Sequence, residues 1–258
     1  MTTLSFAKIN IFLKITGTCG SYHMLLSRFM LLKELFDSIS FLPKTKNSSE
    51  FLLKGNFSCD LEQNSIYKAY KELLKTEHKE KIVKFFNSYF IEVDKNIPIG
   101  SGLGGGSSNA ASFLLFCNEE LELNLTKEKL SQIAIKIGSD LPFFIHEYNF
   151  ANVEGVGEKV FCFEDKKLNL EVKTLPISCN TKSVYTHFRK NRLNEIDLKL
   201  AKELKGLKSE EILTNYSPFS LNDLFNSTLA LYPELNEHVK DGWFLSGSGS
   251  SLFRIKNV

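Results

Sequence analysis

Cysteine is sparse in this 258-residue chain: five residues, at 19, 59, 117, 162 and 179, odd in number and with no Cys-x-x-Cys pair. That pattern excludes a disulfide framework and a zinc-finger type of site, and it suits a reducing compartment. The five histidines show no metal spacing. No run approaches the roughly 18 apolar residues of a membrane helix. The N-terminus lacks the charged region and apolar core of a signal peptide. Excess charge is missing too. The net value is +2, and lysines alternate with acids as in His78-Lys79-Glu80-Lys81, which gives no electrostatic reason to expect nucleic acid. There is no internal repeat and no low-complexity tract. What remains, at 43% hydrophobic and 24% charged, is ordinary for a soluble protein with a real core. A cytoplasmic location is expected.

One stretch stands out: Pro98-Ile99-Gly100-Ser101-Gly102-Leu103-Gly104-Gly105-Gly106-Ser107-Ser108-Asn109-Ala110-Ala111. Glycine permits positive φ and close approach of another group. A helix-compatible run from Ser107 to about Leu121 comes at once after it. A glycine turn entering a helix presents several N–H groups backed by the positive end of the helix dipole, which suits a phosphate. The P-loop pattern fails, because the loop is not succeeded by Gly-Lys-Ser/Thr. The dinucleotide fingerprint Gly100-x-Gly102-x-x-Gly105 is present. It does not sit directly after an apolar strand, and the acids Glu119 and Glu120 fall late in the expected helix. Phosphate here would be held by backbone donors and hydroxyls.

The other segments are simpler. Leu4 to Ile15 alternates as a strand, with Ala7, Ile9, Ile11 and Leu13 on one face and Lys8, Asn10 and Phe12 on the other. Read alone, Lys8 and Asn10 face water. Beyond a turn at Gly17 to Ser21, apolar segments run to Phe41, and Phe51 to Lys54 is a short strand. Asn64 caps a helix to Leu74. Ile82 to Val93 contains a strand. Thr126 caps another helix, which Gly138 ends in the C′ role. Phe143 to Ile145 is a strand candidate, placing Asp140 at a helix-to-strand corner. After His146 come two strands around a glycine turn (152–160), a strand over 169–177 and a helix from Thr181. Then come mixed helix over 196–213 and a helix from Asn222 to Tyr232. Finally Ser246-Gly247-Ser248-Gly249-Ser250-Ser251 lies clamped between two apolar strands. Such a run is a tight turn close to a ligand or to the first glycine loop.

Three separated stretches, Ala7-Lys8-Ile9-Asn10, the central glycine loop and the late Gly/Ser turn, resemble the signature motifs of the GHMP kinase superfamily. Added signs are Tyr22-His23, Gly138-Ser139-Asp140-Leu141-Pro142-Phe143, Glu154-Gly155-Val156-Gly157-Glu158 and Asn222-Asp223-Leu224. The resemblance is collinear and covers nearly the whole chain. It implies an α+β fold of two domains. Residues 1–147 would form a ribosomal-S5-like ATP-binding domain, and 148–258 a domain of ferredoxin-like topology. It implies phosphoryl transfer from ATP to a small-molecule alcohol, in the branch whose substrate carries cytidine. Mg²⁺ is expected with the nucleotide, its protein ligands unassigned. No nucleic-acid or membrane partner is implied, and the state is monomer or weak homodimer.

The resemblance also distributes roles. Lys8 and Asp140 are the catalytic pair, Asp140 as base. Asn10, Tyr22, His23 and Tyr185 contact the substrate, with Tyr185 stacking on cytosine and His23 meeting the base edge. ATP is met by Asn64, Lys95, Pro98, Gly100, Gly102, Leu103, Gly104, Gly105, Gly106, Ser107 and Ser108. Rival readings are a mevalonate- or homoserine-type kinase, a non-catalytic nucleotide binder of the same fold, and a dinucleotide-dependent oxidoreductase.

Overall fold

A computed structural model describes residues 1–239 and 242–256. The chain opens with two long strands, β1 (Thr2–Cys19) and β2 (Tyr22–Pro43), joined at Gly20-Ser21. Gly20 takes φ 56°, the left-handed conformation that a two-residue hairpin turn asks of glycine. Next come β3 (Leu53–Gly55), α1 (Ser65–Leu73), α2 (Lys79–Ser88), β4 (Tyr89–Asp94), α3 (Gly105–Glu120), α4 (Lys127–Ala134) and α5 (Leu141–His146). The remainder holds β5 (Phe150–Gly155), β6 (Lys159–Cys162), β7 (Leu170–Lys173), α6 (Thr181–Asn191), α7 (Leu198–Gly206) and α8 (Ser209–Asn215). It ends with α9 (Pro218–Leu221), α10 (Phe225–Leu231), β8 (Phe244–Leu245) and β9 (Leu252–Ile255). The α+β class is as expected.

Two compact units divide the chain. One comprises 1–7, 32–97 and 104–147, and the other 8–31, 98–103 and 148–256 among the described residues. In the first, the C-terminal part of β2 pairs antiparallel with β4 (Ser38 opposite Asp94, Pro43 opposite Tyr89), and β3 adds to β4 in parallel. Its core is aromatic. Phe41 stacks on Phe116, and Phe51, Tyr70, Phe86 and Phe113 pack ring to ring. Helix α1 forms as its sequence dictates. The Asn64 side chain accepts the Ile66 N–H, and Ile66, Ala69, Tyr70 and Leu73 fall on the buried face.

In the second unit, the N-terminal part of β2 pairs antiparallel with β5, and β5 with β6. A separate sheet runs β7-β9-β8, all antiparallel. Two buried cations brace this unit. Arg28, fully buried, donates to Asn152 Oδ1 and to the Lys205 and Leu207 carbonyls, and it lies 3.3 Å from the Phe163 ring centroid. Burial pulls its pKa down to about 10, partly offset by Asp165. Lys14 pairs with Asp223, which also accepts the Ile15 N–H. Burial nevertheless raises the Asp223 pKa, the Lys14 charge opposing it.

Four local expectations change. Phe143 to Ile145 belongs to helix α5, so Asp140 precedes a helix and not a strand. A short apolar run fits either state, and Pro142 in the first turn suits a helix start. Gly138 does not hold the C′ position of α4: the helix ends at Ala134 with Ile135 as cap, a turn at Ile135 to Ile137 follows, and the Gly138 φ is not left-handed. The strand expected within Ile82 to Val93 is present but confined to 89–94, because residues 79–88 are a helix that buries Ile82 and Phe86 one turn apart. Lys8 and Asn10 do not face water: both are buried, as are Ala7 to Leu13 on both faces of β1.

Candidate active site

The second unit holds one part of the candidate residues. Lys8, on β1, donates from Nζ to Asn10 Oδ1 at 2.7 Å and to the Gly102 carbonyl at 3.1 Å, with its ammonium over the Phe29 ring. The Lys8 N–H donates to the Leu103 carbonyl, which lashes the glycine loop to β1. The late Gly/Ser turn lies against the same loop, as the sequence implied. Ser246 Oγ donates to the Gly102 carbonyl and the Ser251 N–H to the Ser101 carbonyl. At Gly102, φ is 77° and any Cβ would drive into the Ser246 carbonyl oxygen. Glycine is obligatory there on both counts. Asn222 fixes the turn by donating to the Leu245 and Gly247 carbonyls.

The loop has a marked polarity. The carbonyls of Pro98, Gly100, Ser101, Gly102, Leu103 and Gly104 all accept hydrogen bonds, from Ser101 Oγ, Cys179 N, Ser251 N, Lys8 Nζ, Lys8 N and Ser108 N respectively. Among the described residues, the N–H groups from Gly100 to Ser107 meet no protein acceptor. A loop that spends its acceptors and keeps its donors is built for an anion.

In the first unit, Gly104 enters α3 in the left-handed conformation at φ 73°. The first turn, Gly105, Gly106, Ser107 and Ser108, is held from behind by a buried network. Asp37 Oδ1 accepts the Asn96 and Ile97 N–H groups, fixing the approach to the loop. Its other oxygen takes Lys95 Nζ and Asn109 Nδ2. Asn109 Nδ2 also reaches Ser5 Oγ, which donates to Ser108 Oγ. Lys95 and Asn64 thus have their polar groups engaged in the fold, Lys95 with Asp37 and Asn109, Asn64 with the Ile66 N–H. Asp140 sits at the cap position of α5 in helical conformation, and its carboxylate does not cap that helix.

Tyr22, His23 and Tyr185 belong to the second unit. His23 packs its ring 5.1 Å from that of Tyr185, while Tyr22 is exposed. His23 Nε2 is buried with no hydrogen-bond partner among the described residues. Burial, with help from the Arg189 charge, lowers the His23 pKa and keeps the ring neutral near pH 7. Arg189 donates to the Gly20 and Tyr22 carbonyls, tying the hairpin turn to α6. The supporting residues Asp37 and Arg189 escape a sequence reading. The one available signal is a carboxylate flanked by apolar residues, Leu35-Phe36-Asp37-Ser38-Ile39.

Comparison with known proteins identifies the family. The family described as GHMP kinases N terminal domain matches residues 64–148. A Sulfurimonas denitrificans protein named 4-diphosphocytidyl-2-C-methyl-D-erythritol kinase is 46% identical over 255 residues, covering 98% of this chain and 96% of that one. A Campylobacter jejuni protein of the same name is 42% identical, covering 97% and 98%. The crystal structure of a 4-(cytidine 5'-diphospho)-2C-methyl-D-erythritol kinase superposes with a TM-score of 0.76 at 26% identity, over 100% of this chain and 90% of that one. By its near-full-length identity to these relatives, the chain belongs to the 4-diphosphocytidyl-2-C-methyl-D-erythritol kinase family of GHMP kinases.

Proposed function

We propose that this enzyme transfers the γ-phosphoryl group of ATP to the 2-hydroxyl of 4-(cytidine-5′-diphospho)-2-C-methyl-D-erythritol, supplying the non-mevalonate route to isoprenoid precursors. The observation that carries the reading is the polarity of the glycine loop: its carbonyls are tied down, and its N–H groups from Gly100 to Ser107 have no protein acceptor among the described residues. Phosphoryl transfer asks mainly for positioning and charge stabilisation. The N–H groups ahead of α3 receive the triphosphate with the helix dipole behind them. In this reading Asp140 is the base for the attacking hydroxyl, and Lys8 supplies positive charge to the reaction.

Magnesium fits the donors present. Ser107 stands in the first turn of α3, among the N–H groups assigned to the phosphates, while the Ser108 hydroxyl accepts from Ser5 behind that turn. Mg²⁺ is commonly bound through few protein ligands together with substrate phosphates. When bound, it would neutralise charge on the phosphate oxygens. The cytidine reading is supported by His23 Nε2, unpartnered among the described residues, beside the Tyr185 ring: a polar edge next to an aromatic face. Asn10 and Tyr22 complete the substrate contacts, and Asn64 and Lys95 lie on the adenine side of the nucleotide. The enzyme works in the cytoplasm as a monomer or weak homodimer.

The test is a coupled assay of ADP release against a panel of alcohols: the cytidine diphosphate compound, mevalonate and homoserine. Turnover with the first alone is the expected result. Turnover with mevalonate or homoserine in its place moves the chain to another branch. ATP binding without turnover on any of them leaves a non-catalytic binder.

A further inference from the structure

Ser27 of β2 has no part in the roles assigned above, yet it is fully buried behind Asn10. A hydroxyl has one proton to give. Ser27 gives it to the Phe12 carbonyl, which can only accept. Toward Asn10 it must therefore accept, and Asn10 meets it with Nδ2 at 2.9 Å. That turns Asn10 Oδ1 to the Lys8 ammonium at 2.7 Å, a group that can only donate. Both ends of the chain of bonds demand the same amide orientation. A flipped Asn10 would set its NH₂ against an ammonium and its carbonyl against a hydroxyl whose proton is spent. The late Gly/Ser turn closes over the pair, since a Cβ on Gly247 would stand 3.4 Å from Asn10 Oδ1 and 3.6 Å from Lys8 Nζ.

We propose that Ser27 is a positioning residue for phosphoryl transfer: through Asn10 it aims and holds the Lys8 ammonium. The inference rests on the catalytic reading of Lys8. It separates Ser27 from an ordinary buried hydroxyl, because the polarity that Ser27 imposes ends on a charged group and not on the backbone alone.

The experiment measures kcat and both KM values on the full chain for Ser27→Ala, Ser27→Thr, Ser27→Cys, Asn10→Ala, Lys8→Ala and the Ser27→Ala/Asn10→Ala double variant, each checked for folding by circular dichroism. Ser27→Ala should lower kcat about 10-fold, the scale of coupling within one hydrogen-bond network, with both KM values moving less. Ser27→Thr restores the hydroxyl and should recover most of the turnover. Ser27→Cys, a weak donor of similar size, should behave like Ala and stands in if Ser27→Ala fails to fold. In the Asn10→Ala background, Ser27→Ala should add no further loss. Wild-type kcat in folded Ser27→Ala or Ser27→Cys beside an impaired Lys8→Ala overturns this proposal alone, as does a fully multiplicative double variant. Wild-type kcat in Lys8→Ala overturns the catalytic reading of Lys8, and this proposal with it.

Discussion

The two glycine-rich runs look alike in composition and differ in wiring. The first, Pro98 to Gly106, fixes its carbonyls and leaves its N–H groups from Gly100 onward without protein acceptors among the described residues. The second, Ser246 to Ser251, uses half of its N–H groups within the protein. The Ser246, Gly249 and Ser251 N–H groups all donate, while the Gly247 and Ser248 carbonyls accept from Asn222 and Thr228. The first opens into a sixteen-residue helix. The second is pinned between β8 and β9, paired strands only two and four residues long. Glycine serves different ends in the two. In the second it lets a tight turn close, and in the first it lets backbone donors face outward. Composition alone cannot separate these uses. The element that the glycines lead into, a helix in one case and a short strand in the other, separates them.

Neither run contains a titratable side chain. If the loops hold and brace, the proton must be taken elsewhere, and that gives the largest expected effect. Asp140→Asn preserves shape and removes the proposed base, so kcat should fall by about 10²–10⁴-fold. Single-turnover kinetics checks this, with ATP affinity changing far less. Near-wild-type chemistry in that variant would assign the proton transfer to another group or to water.

Gly102 is where the two runs touch, and Gly102→Ala breaks the comparison at its joint. The methyl would meet the Ser246 carbonyl at a φ that alanine avoids. A cost of about 2–4 kcal/mol in folding stability is expected, read from urea denaturation, because backbone and not a flexible side chain must move. A stability change under about 1 kcal/mol would show that the runs are not rigidly braced.

Distance along the chain decides how much of this was legible. The caps at Asn64 and Thr126, the glycine helix and the hairpin at 152–160 are local patterns, and each formed as read. Helices α2 and α5 were hidden because Ile82 to Phe86 and Phe143 to Ile145 are short apolar runs that either period accommodates. The support behind the loop was hidden for a different reason. Asp37 meets Lys95 across 58 positions and Asn109 across 72, and nothing local marks such partners. The candidate side chains Lys8, Asn10 and Asp140 were named through resemblance. The burial of Lys8 and Asn10 could not be seen from strand alternation, which reports one covered face and is silent when both are covered.

Gly106 separates holding from folding within the first run. Its φ is not left-handed, and the nearest atom to an added Cβ is Ser65 Oγ at 3.6 Å, an ordinary contact. Gly106→Ala should therefore leave the fold intact or stabilise it by about 0.5–1 kcal/mol, the usual gain of alanine over glycine in a helix. If the N–H groups beside it cradle phosphate, the methyl still crowds that approach, and KM for ATP should rise several-fold. A higher melting temperature with unchanged ATP KM would place the phosphates elsewhere.

The smallest effect concerns His23, and it uses pH because the loops cannot respond to it. Burial and the Arg189 charge already hold the His23 pKa below its ordinary 6.5, so the ring is neutral at pH 7. A base stacked on Tyr185 would cover His23 further, and deeper burial again disfavours the charged form. Substrate binding and protonation of His23 then oppose each other. The linkage gives a sign: KM for the cytidine substrate should be flat at and above neutrality and rise as pH falls below about 6.5 toward 5, by a few-fold. His23→Gln, which keeps a hydrogen-bonding edge without a titration, should remove the acid limb while raising KM modestly at pH 7. ATP carries its own phosphate titration in this range, so the comparison must be made at saturating nucleotide. An acid limb that persists unchanged in His23→Gln would assign it to another group and take His23 out of the substrate pocket.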